Sequence, residues 1–409
     1  MLFRLECKKI IRSVAFLIYC VISVLFFTTQ YYNDCQGGVY IWSGDYKISE
    51  DHDLIMDSAL NLLTGEYASN KYVCYPFGFY KAVHLREKKQ EKIAAYLKEI
   101  TGYDEKDLEA VLSKGEKFYS THGGQLEYSF NDIPVAEGFS YDRFVEIMTD
   151  VDDILGGGSH YDPEQLVYNF SRVPMTEEEA RAEYESFLKE DRITGGLARL
   201  FCDYVGIDLG ILPVFAAAFL TSVDRKRRMH ELVYTRNISS FRLVFTRYAA
   251  LIFTMFIPVF LEMCAALIQA FCVYGGKDMD IPVMFTLPTF WLLPILMFAT
   301  AMGVLITEVF SSATAIFTQL VIWFMSVMTS GGALYGKIGR FTLICRHNSP
   351  ANRSEFLLNQ DNFIFSRFFW AIVSVVLVIV AAFVYEAKRG GRFNAIKLFG
   401  KGGILRRKA

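Results

Sequence analysis

The sequence predicts an all-α integral membrane protein: six transmembrane helices, with a large, mainly helical extracellular domain (some β) inserted between spans one and two. Three observations predict it. Six apolar runs approach or exceed the length needed for a bilayer core of roughly 30 Å: Val14–Phe27 extended by Ile10-Ile11, then Tyr204–Val223, Val244–Tyr274, Phe285–Thr307, Ser311–Thr329 and Phe368–Tyr385. A formal net charge of only −2 conceals a segregation, since residues 31–200 hold 32 acidic against 17 basic side chains. The bases outside that block gather at alternate ends of the spans. An acidic block and a basic block in one chain suggest the two sides of a bilayer.

Taken in order, residues 1–30 form a cytoplasmic N-terminus and the first span. Met1–Arg12 carries Arg4, Lys8, Lys9 and Arg12. The stretch Phe26-Phe27-Thr28-Thr29-Gln30 offers no small-x-small cleavage site, so the run reads as an uncleaved span and not a signal peptide.

Residues 31–200 form the acidic extracellular domain, because acids contribute little to topology whereas bases resist export. Periodicity marks its helices. Leu54, Ile55, Ser58, Ala59, Leu62 and Leu63 form one stripe, and Ile93, Tyr96, Leu97 and Ile100 a second. Phe144, Ile147, Met148, Val151, Ile154 and Leu155 form a third, stopped by Gly156-Gly157-Gly158. Thr176 with Glu179 is a capping-box pattern opening a fourth helix through Tyr184, Phe187 and Leu188. Val39–Trp42 and Tyr72–Val83 are aromatic and branched enough for short strands.

Residues 201–386 supply five more helices. Tyr204–Val223 leads inward to a basic elbow at 224–243. Val244–Tyr274 runs outward, longer than a bilayer needs and broken by Pro258. Phe285–Thr307 returns with Pro288 and Pro294, which should kink it. Ser311–Thr329 goes out after a tight turn at Glu308, and Phe368–Tyr385 comes in. The cytoplasmic tail, 387–409, is basic: from Glu386 onward there are eight bases against one acid. Both termini then lie inside, at the plasma (cytoplasmic) membrane, and all three inner segments are basic. One misfit remains, because the outer loop 331–366 holds Lys337, Arg340, Arg346 and Arg353. Moving it inside would expel the eight-base tail. Asp203 and Asp208 read as interfacial.

Several function classes have little support. The bases flank apolar spans and line no soluble face, which argues against nucleic-acid binding. No cysteine pair has CxxC spacing, which argues against zinc or redox chemistry; Cys35 and Cys74, in the acidic block, read either as a disulfide or as two buried thiols. His230-Glu231 is not HExxH, since position 234 is Tyr, and Glu178-Glu179-Ala180-Arg181 opens a soluble helix. His122 and His160 have no ligand spacing. Gly156–Gly158 follows a helix and not a strand, so it reads as a helix stop. The chain is therefore not read as an enzyme, and no metal site is expected.

The elbow is the most informative segment. Arg225, Arg228, Met229, Glu231, Leu232, Val233, Arg236 and Ser240 fall in a cationic amphipathic stretch, with Met229, Leu232 and Val233 on one helical face. Ser239 or Ser240 is placed to cap the next helix. Two readings stand: a coupling helix whose apolar face enters a groove on another subunit, or a solvated stop-transfer loop. Within the spans, Ser311, Thr314, Thr318, Ser326 and Thr329 share a face that suits a substrate path or close helix packing. Glu262, an intramembrane acid, suits proton or substrate handling, or a hydrogen-bonded helix contact.

The run Glu231-Leu232-Val233-Tyr234-Thr235-Arg236-Asn237-Ile238-Ser239-Ser240-Phe241-Arg242-Leu243-Val244 resembles the cytoplasmic elbow of ABC transporter permeases of the type-2 exporter class. Arg346-His347-Asn348 and Tyr385-Glu386-Ala387-Lys388-Arg389-Gly390 are similar as well. The resemblance covers about Phe201–Gly391 and the six-span plan; the acidic insert departs from compact members. It implies a permease subunit of an ATP-driven exporter, working as a homodimer or heterodimer with a separate ATP-binding subunit. ATP and Mg would then be held by that partner. Consistently, nothing in the chain matches GxxxxGK[ST], and no cofactor is expected here. The competing expectation is a membrane-anchored sensor or scaffold whose extracellular domain binds a ligand without transport.

Overall fold

The computed structural model describes residues 2–41, 45–49, 51–76, 80–103, 118–122, 125–129, 133–226, 234, 237–331, 338–347 and 349–391. Its described residues are mostly helical. It divides into two compact units, Trp42–Ala180 and the remainder, Met1–Ile41 with Arg181–Ala409. The smaller unit thus lies within the acidic block at 31–200, and both flanks of that block belong with the larger one.

In the smaller unit each amphipathic stripe becomes a helix with chemical stops. The helix His52–Ser69 (α3, after the two N-terminal helices described below) is capped by Asp51, whose carboxylate accepts from the amides of Asp53 and Leu54. It ends at Asn70 in the left-handed region, φ 44°. Helix α4, Glu87–Thr101, ends at Gly102, and α5, Tyr141–Leu155, ends at Gly156, φ 100°. Helix α6 is Pro163–Phe170. Helix α7, Glu177–Lys189, lies mostly in the larger unit, and it opens with the reciprocal capping box: the Thr176 amide donates to Glu179 Oε2 at 2.9 Å and the Glu179 amide to Thr176 Oγ1 at 3.3 Å.

Among the described residues, six short strands pair antiparallel in twos: β1 (Tyr46–Ile48) with β6 (Arg172–Pro174), β2 (Tyr72–Cys74) with β3 (Lys81–Val83), and β4 (Phe118–His122) with β5 (Gln125–Ser129). Residues 39–41, expected as the start of a strand, carry none. The core joins Ile55, Leu60 and Leu63 of α3 to Ile93 and Leu97 of α4, Phe144, Ile147 and Val151 of α5, and Tyr161.

The larger unit begins with a separate helix, α1, Leu2–Ile11. Ser13 both ends it and starts the next: its hydroxyl donates to Ile10 O at 2.6 Å and accepts from the Phe16 amide at 3.1 Å. Ile10 and Ile11 therefore belong to α1 and do not lengthen the first span. Length for the bilayer is recovered at the other end, where α2 continues as one helical stretch, Val14–Cys35, through a π-turn at Thr28–Tyr32.

The second apolar run also differs from its expected form. It starts earlier and is interrupted: α8 is Thr194–Leu209 and α9 is Pro213–Lys226. Pro213, lacking an amide proton, suits the first turn of a restarted helix. By contrast α10, Ser240–Tyr274, runs through Pro258 without a break. One proline deprives one carbonyl of its partner, and a helix buried among others tolerates that. Helices α11 (Val283–Val309), α12 (Ser312–Gly331), α13 (Arg353–Leu358) and α14 (Gln360–Arg389) complete the unit.

Among the described residues, five helical stretches are long and apolar enough to cross a membrane: Val14–Cys35, Thr194–Val223, Ser240–Tyr274, Val283–Val309 and Gln360–Arg389. The apolar part of α12, Ser312–Met328, is shorter.

Side-chain pairs fix relative directions. Tyr19 with Met255, Ser23 with Glu262, and Tyr32 with Gln269 set α2 parallel to α10. Trp291 with Arg367 and Glu308 with Lys388 set α11 parallel to α14. Ala218 with Ser312, Gly210 with Gln319, and Ile207 with Trp323 set α12 antiparallel to α8 and α9. The unit therefore has an elbow end, holding residues 226 and 240, and a loop end, holding residues 338–359. Small residues allow close approach: a Cβ on Gly303 of α11 would lie 2.7 Å from Ala217 Cβ of α9.

Candidate functional site: the elbow clamp and the buried polar layer

Of the elbow residues, Arg228, Met229, Glu231, Leu232, Val233 and Arg236 lie outside the described residues, and Arg225 is described only as part of the α9 backbone. Its exit is described. Ser239 caps α10, its hydroxyl accepting from the Arg242 amide at 3.2 Å, and Ser240 beside it is buried at 1% exposure. The last span holds this exit in place. Arg389 donates from Nε to Tyr234 O at 2.9 Å and from Nη1 to Ile238 O at 2.6 Å. The Tyr234 ring meets Tyr385 edge-on, centroids 5.6 Å apart. One residue earlier, Lys388 donates to Glu308 O and pairs with its carboxylate at 3.3 Å. A guanidinium bridging two carbonyls is a directional grip that an ammonium could not duplicate.

Helix α1 belongs to the same end. Its Glu6, 2% exposed, pairs with Lys9 at 3.1 Å and with Arg247 of α10 at 3.6 Å. Arg4, Lys8 and Arg12, one turn apart, are exposed and border a cavity of about 350 Å³ with Phe3, Cys7, Ile11 and Phe253.

At the loop end, three of the four misfit bases have partners. Arg346 pairs with Asp203 at 2.8 Å, and the His347 amide donates to the same carboxylate at 2.7 Å. Arg353 pairs with Glu190 at 3.1 Å and Asp191 at 3.3 Å. Arg340 lies over the Phe365 ring at 5.9 Å. Lys337 lies outside the described residues. Asp191 also receives a two-pronged bond from buried Arg199, at 2.7 and 2.5 Å. Asp203, expected at an interface, is fully buried; the reason is that Arg346 reaches it from the loop.

Arg367 is the most enclosed base among the described residues, 1% exposed. No carboxylate is among its hydrogen-bond partners. It donates to Trp291 O (3.0 Å), Thr342 O (2.7 Å), Leu343 O (2.8 Å), Ser366 Oγ (2.8 Å) and Cys345 Sγ (3.1 Å). The guanidinium thus folds residues 342–345 onto α11 and α14.

Between the two ends lies a polar layer built by three helices. Ser23 of α2 donates to Glu262 Oε1 of α10 at 2.9 Å. Asp208 of α8 is another buried acid of this unit. Asp208 is 6% exposed and Glu262 4%; Asp208 Oδ1 and Glu262 Oε2 find no partner. Asp208 was read as interfacial. It is buried because α8 starts at Thr194, ten residues before the apolar run expected for this span. The interruption that follows leaves carbonyls for α12 to satisfy: Gln319 Nε2 donates to Gly210 O at 2.6 Å and Trp323 Nε1 to Ile207 O at 2.7 Å.

The hydroxyl stripe of α12 does not provide this contact. Ser311 and Thr314 are exposed, and Thr318 and Ser326 half-buried; Ser311 caps the helix, and Ser326 bonds Ile322 O of its own helix. Thr329 is described only as backbone. The buried face of α12 carries Ala315 and Gln319 instead. Cys35 and Cys74 are free thiols, each buried in its own unit's core. Among the described residues no group of three or more His, Cys, Asp or Glu could hold a metal ion.

Sequence reasoning misplaced Asp208 and missed Gln319 and Arg367. The available signal was position: each is a polar side chain inside or beside an apolar run. No family model, curated protein or solved structure matches the chain.

Proposed function

We infer that the chain is the transmembrane permease subunit of an ATP-driven ABC exporter of the type-2 class, with six spans and an extracellular unit after the first. ATP and Mg are held by a separate ATP-binding subunit that grips the 224–243 elbow. Two permease chains assemble around the substrate path. The observation that carries this reading is the Arg389 clamp on the carbonyls of Tyr234 and Ile238. A lever must be rigidly joined to what it moves. Here the elbow's exit is tied to α14 by the clamp and continues directly into α10, so displacement of the elbow moves two spans together. A solvated stop-transfer loop requires no such tie.

In mechanism, ATP binding closes the partner subunits and pushes the elbow; α10 and α14 transmit the displacement and alter access to the path. Linkage makes this reciprocal, so substrate binding alters nucleotide affinity by the same factor. The test is purification of the tagged chain in mild detergent with its neighbouring gene products. An ATP-binding subunit should co-purify, and replacing Met229, Leu232 and Val233 with polar residues should release it or uncouple its ATPase. Should no such subunit co-purify, and should the triple variant keep its function, the chain is a sensor or scaffold and the transport reading falls.

A further inference from the structure

Helix α1 combines unpaired basic charge with exposed apolar side chains. It turns Glu6, Cys7 and Ile10 inward. Against α10, Glu6 pairs with Arg247 at 3.6 Å, and the Phe3 and Phe253 rings lie 5.7 Å apart. Glu6 is the single acid among residues 1–33, and Lys9 and Arg247 neutralise it. Arg4, Lys8 and Arg12 are left exposed, with no acidic partner among the described residues. They stand four residues apart, which places them on one helical face. They rim the same groove as Phe3, Ile11 and Phe253, which are exposed as well. The depth of α1 follows from the parallel pairing of α2 with α10. Tyr19 bonds Met255 O, so stepping back five residues on each helix puts Val14, where α2 begins, level with Ala250. Helix α1 meets α10 at Arg247 and Phe253, on either side of that level. From Ala250 to the end of α10 at Tyr274 is about 36 Å of helix, enough for the hydrocarbon core with a margin. The exposed side chains that follow on α2 (Val14, Leu17, Ile18 and Val21) are apolar. Helix α1 therefore lies where the apolar layer begins, the depth of lipid phosphates. The occupant of its groove must be anionic and partly apolar. The chain's own elbow and tail are basic and are repelled. A soluble phosphate answers the charge but leaves the apolar walls in water, whereas an anionic phospholipid answers both.

We propose that α1 and Phe253 of α10 form a binding site for an anionic phospholipid of the leaflet at the elbow end. Arg4, Lys8 and Arg12 hold its phosphate, and the start of an acyl chain lies against Phe3, Ile11 and Phe253. The two guanidinium groups suit two-pronged bonds to phosphate oxygens, and Lys8 between them adds a point charge. Each base close to an anionic headgroup favours binding about fivefold, so three together favour it on the order of a hundredfold. Because the Glu6–Arg247 pair ties α1 to α10, an occupied site fixes the foot of that helix at the membrane surface. The site is a property of the single chain and does not rest on the permease reading.

The test places the full chain in phosphatidylcholine nanodiscs with a trace of phosphatidylglycerol whose acyl chain carries a photoactivatable group, and peptide mass spectrometry locates the adducts. They should fall on α1 and around Phe253. Unlabelled phosphatidylglycerol should compete them away, whereas excess inorganic phosphate at constant ionic strength should not. Combining Arg4→Gln, Lys8→Gln and Arg12→Gln should lower the α1 adducts on the order of a hundredfold. The reference is labelling of the exposed apolar side chains of α14 (Ile372, Val376 and Phe383). Equal labelling of α1 by a phosphatidylcholine probe of the same design, competition by inorganic phosphate, or an unchanged ratio of α1 to α14 adducts in the triple variant would each overturn the proposal, the second by showing a site for free anions. Because probe choice and competition are read on the unaltered chain, misfolding of the variant cannot rescue or sink it.

Discussion

Glu66, in the unit Trp42–Ala180, accepts from the Val73 amide and from the Tyr161 hydroxyl, each at 2.7 Å. Its carboxyl is nevertheless pushed up to about 7, because burial at 4% exposure outweighs both bonds. Unfolded, the same group titrates at its usual 4.5. Between those values the folded unit holds a proton that the unfolded chain has released, so stability falls as pH rises from about 4.5 to 7 and is flat above. The effect is on the order of 3 kcal/mol. In the intact chain, hydrogen exchange of the α3 and β2 amides should show this decline, and Glu66→Gln should abolish it; an unchanged slope in that variant would remove Glu66 as the cause. Arg367 poses the complementary case of a buried base among carbonyls. A lysine there presents a point charge and not a planar fork, leaving at least one of the Trp291, Thr342 and Leu343 carbonyls unmet, at a cost of about 1–3 kcal/mol. Arg367→Lys should loosen residues 342–345 and raise maleimide labelling of the buried thiol Cys345 roughly tenfold. Labelling equal to wild type would mean that apolar packing alone holds that segment.

At the scale of elements, the interrupted span is the part least determined by its own sequence. Gly210-Ile211-Leu212-Pro213 is apolar apart from its backbone, and an apolar run containing one proline is equally compatible with a continuous helix, as α10 shows at Pro258. What distinguishes the two is the partner: Gln319 and Trp323 of α12 supply donors to the carbonyls of Gly210 and Ile207. The approach is close enough that a Cβ on Gly210 would lie 2.7 Å from Ile344 and 2.8 Å from Trp323. Gln319→Leu should therefore destabilise the unit by about 1–3 kcal/mol, whereas Thr314→Leu, on the exposed side, should leave it unchanged within about 0.5 kcal/mol. Thermal unfolding of the two purified variants separates them, and equal midpoints would deny the interruption its dependence on α12. This contrast marks where periodicity stops being informative. The stripes beginning at Leu54, Ile93 and Phe144 became α3, α4 and α5 with glycine or asparagine stops, because amphipathic period and left-handed caps are local properties. The Thr176–Glu179 box and the Ser239 cap were legible for the same reason. Asp208, Arg367 and Gln319 were not, because their roles depend on which helix lies opposite, and that information lies far off in sequence, 76 positions away for Arg367 and Trp291 and 109 for Gln319 and Gly210.

For the whole molecule, the unresolved tension in the charge pattern was the basic loop on the supposed outer side. In the folded unit, Arg346 and Arg353 are answered by Asp203, Glu190 and Asp191, and Arg340 rests on Phe365. These pairings explain how the loop is tolerated once folded. They do not orient the last span, because orientation is set by the balance of lysine and arginine on its two flanks during insertion. On one flank stand Lys337, Arg340, Arg346 and Arg353, and on the other the eight bases between Lys388 and Lys408. In the proposed topology the tail's excess keeps it inside, on the same side as the elbow with its Arg225, Lys226, Arg227 and Arg228. Two of those eight, Lys388 and Arg389, also hold the elbow clamp, so they should be spared in a test of insertion alone. Replacing the other six (Arg392, Lys397, Lys401, Arg406, Arg407 and Lys408) with glutamine leaves four bases against two. A C-terminal fusion that fluoresces only in the cytoplasm should then lose part of its signal, and a fusion active only outside should gain it. If the reporter stays entirely inside, the tail charges do not set the direction of α14, and the six-span arrangement would need support from the clamp at Arg389 and not from charge.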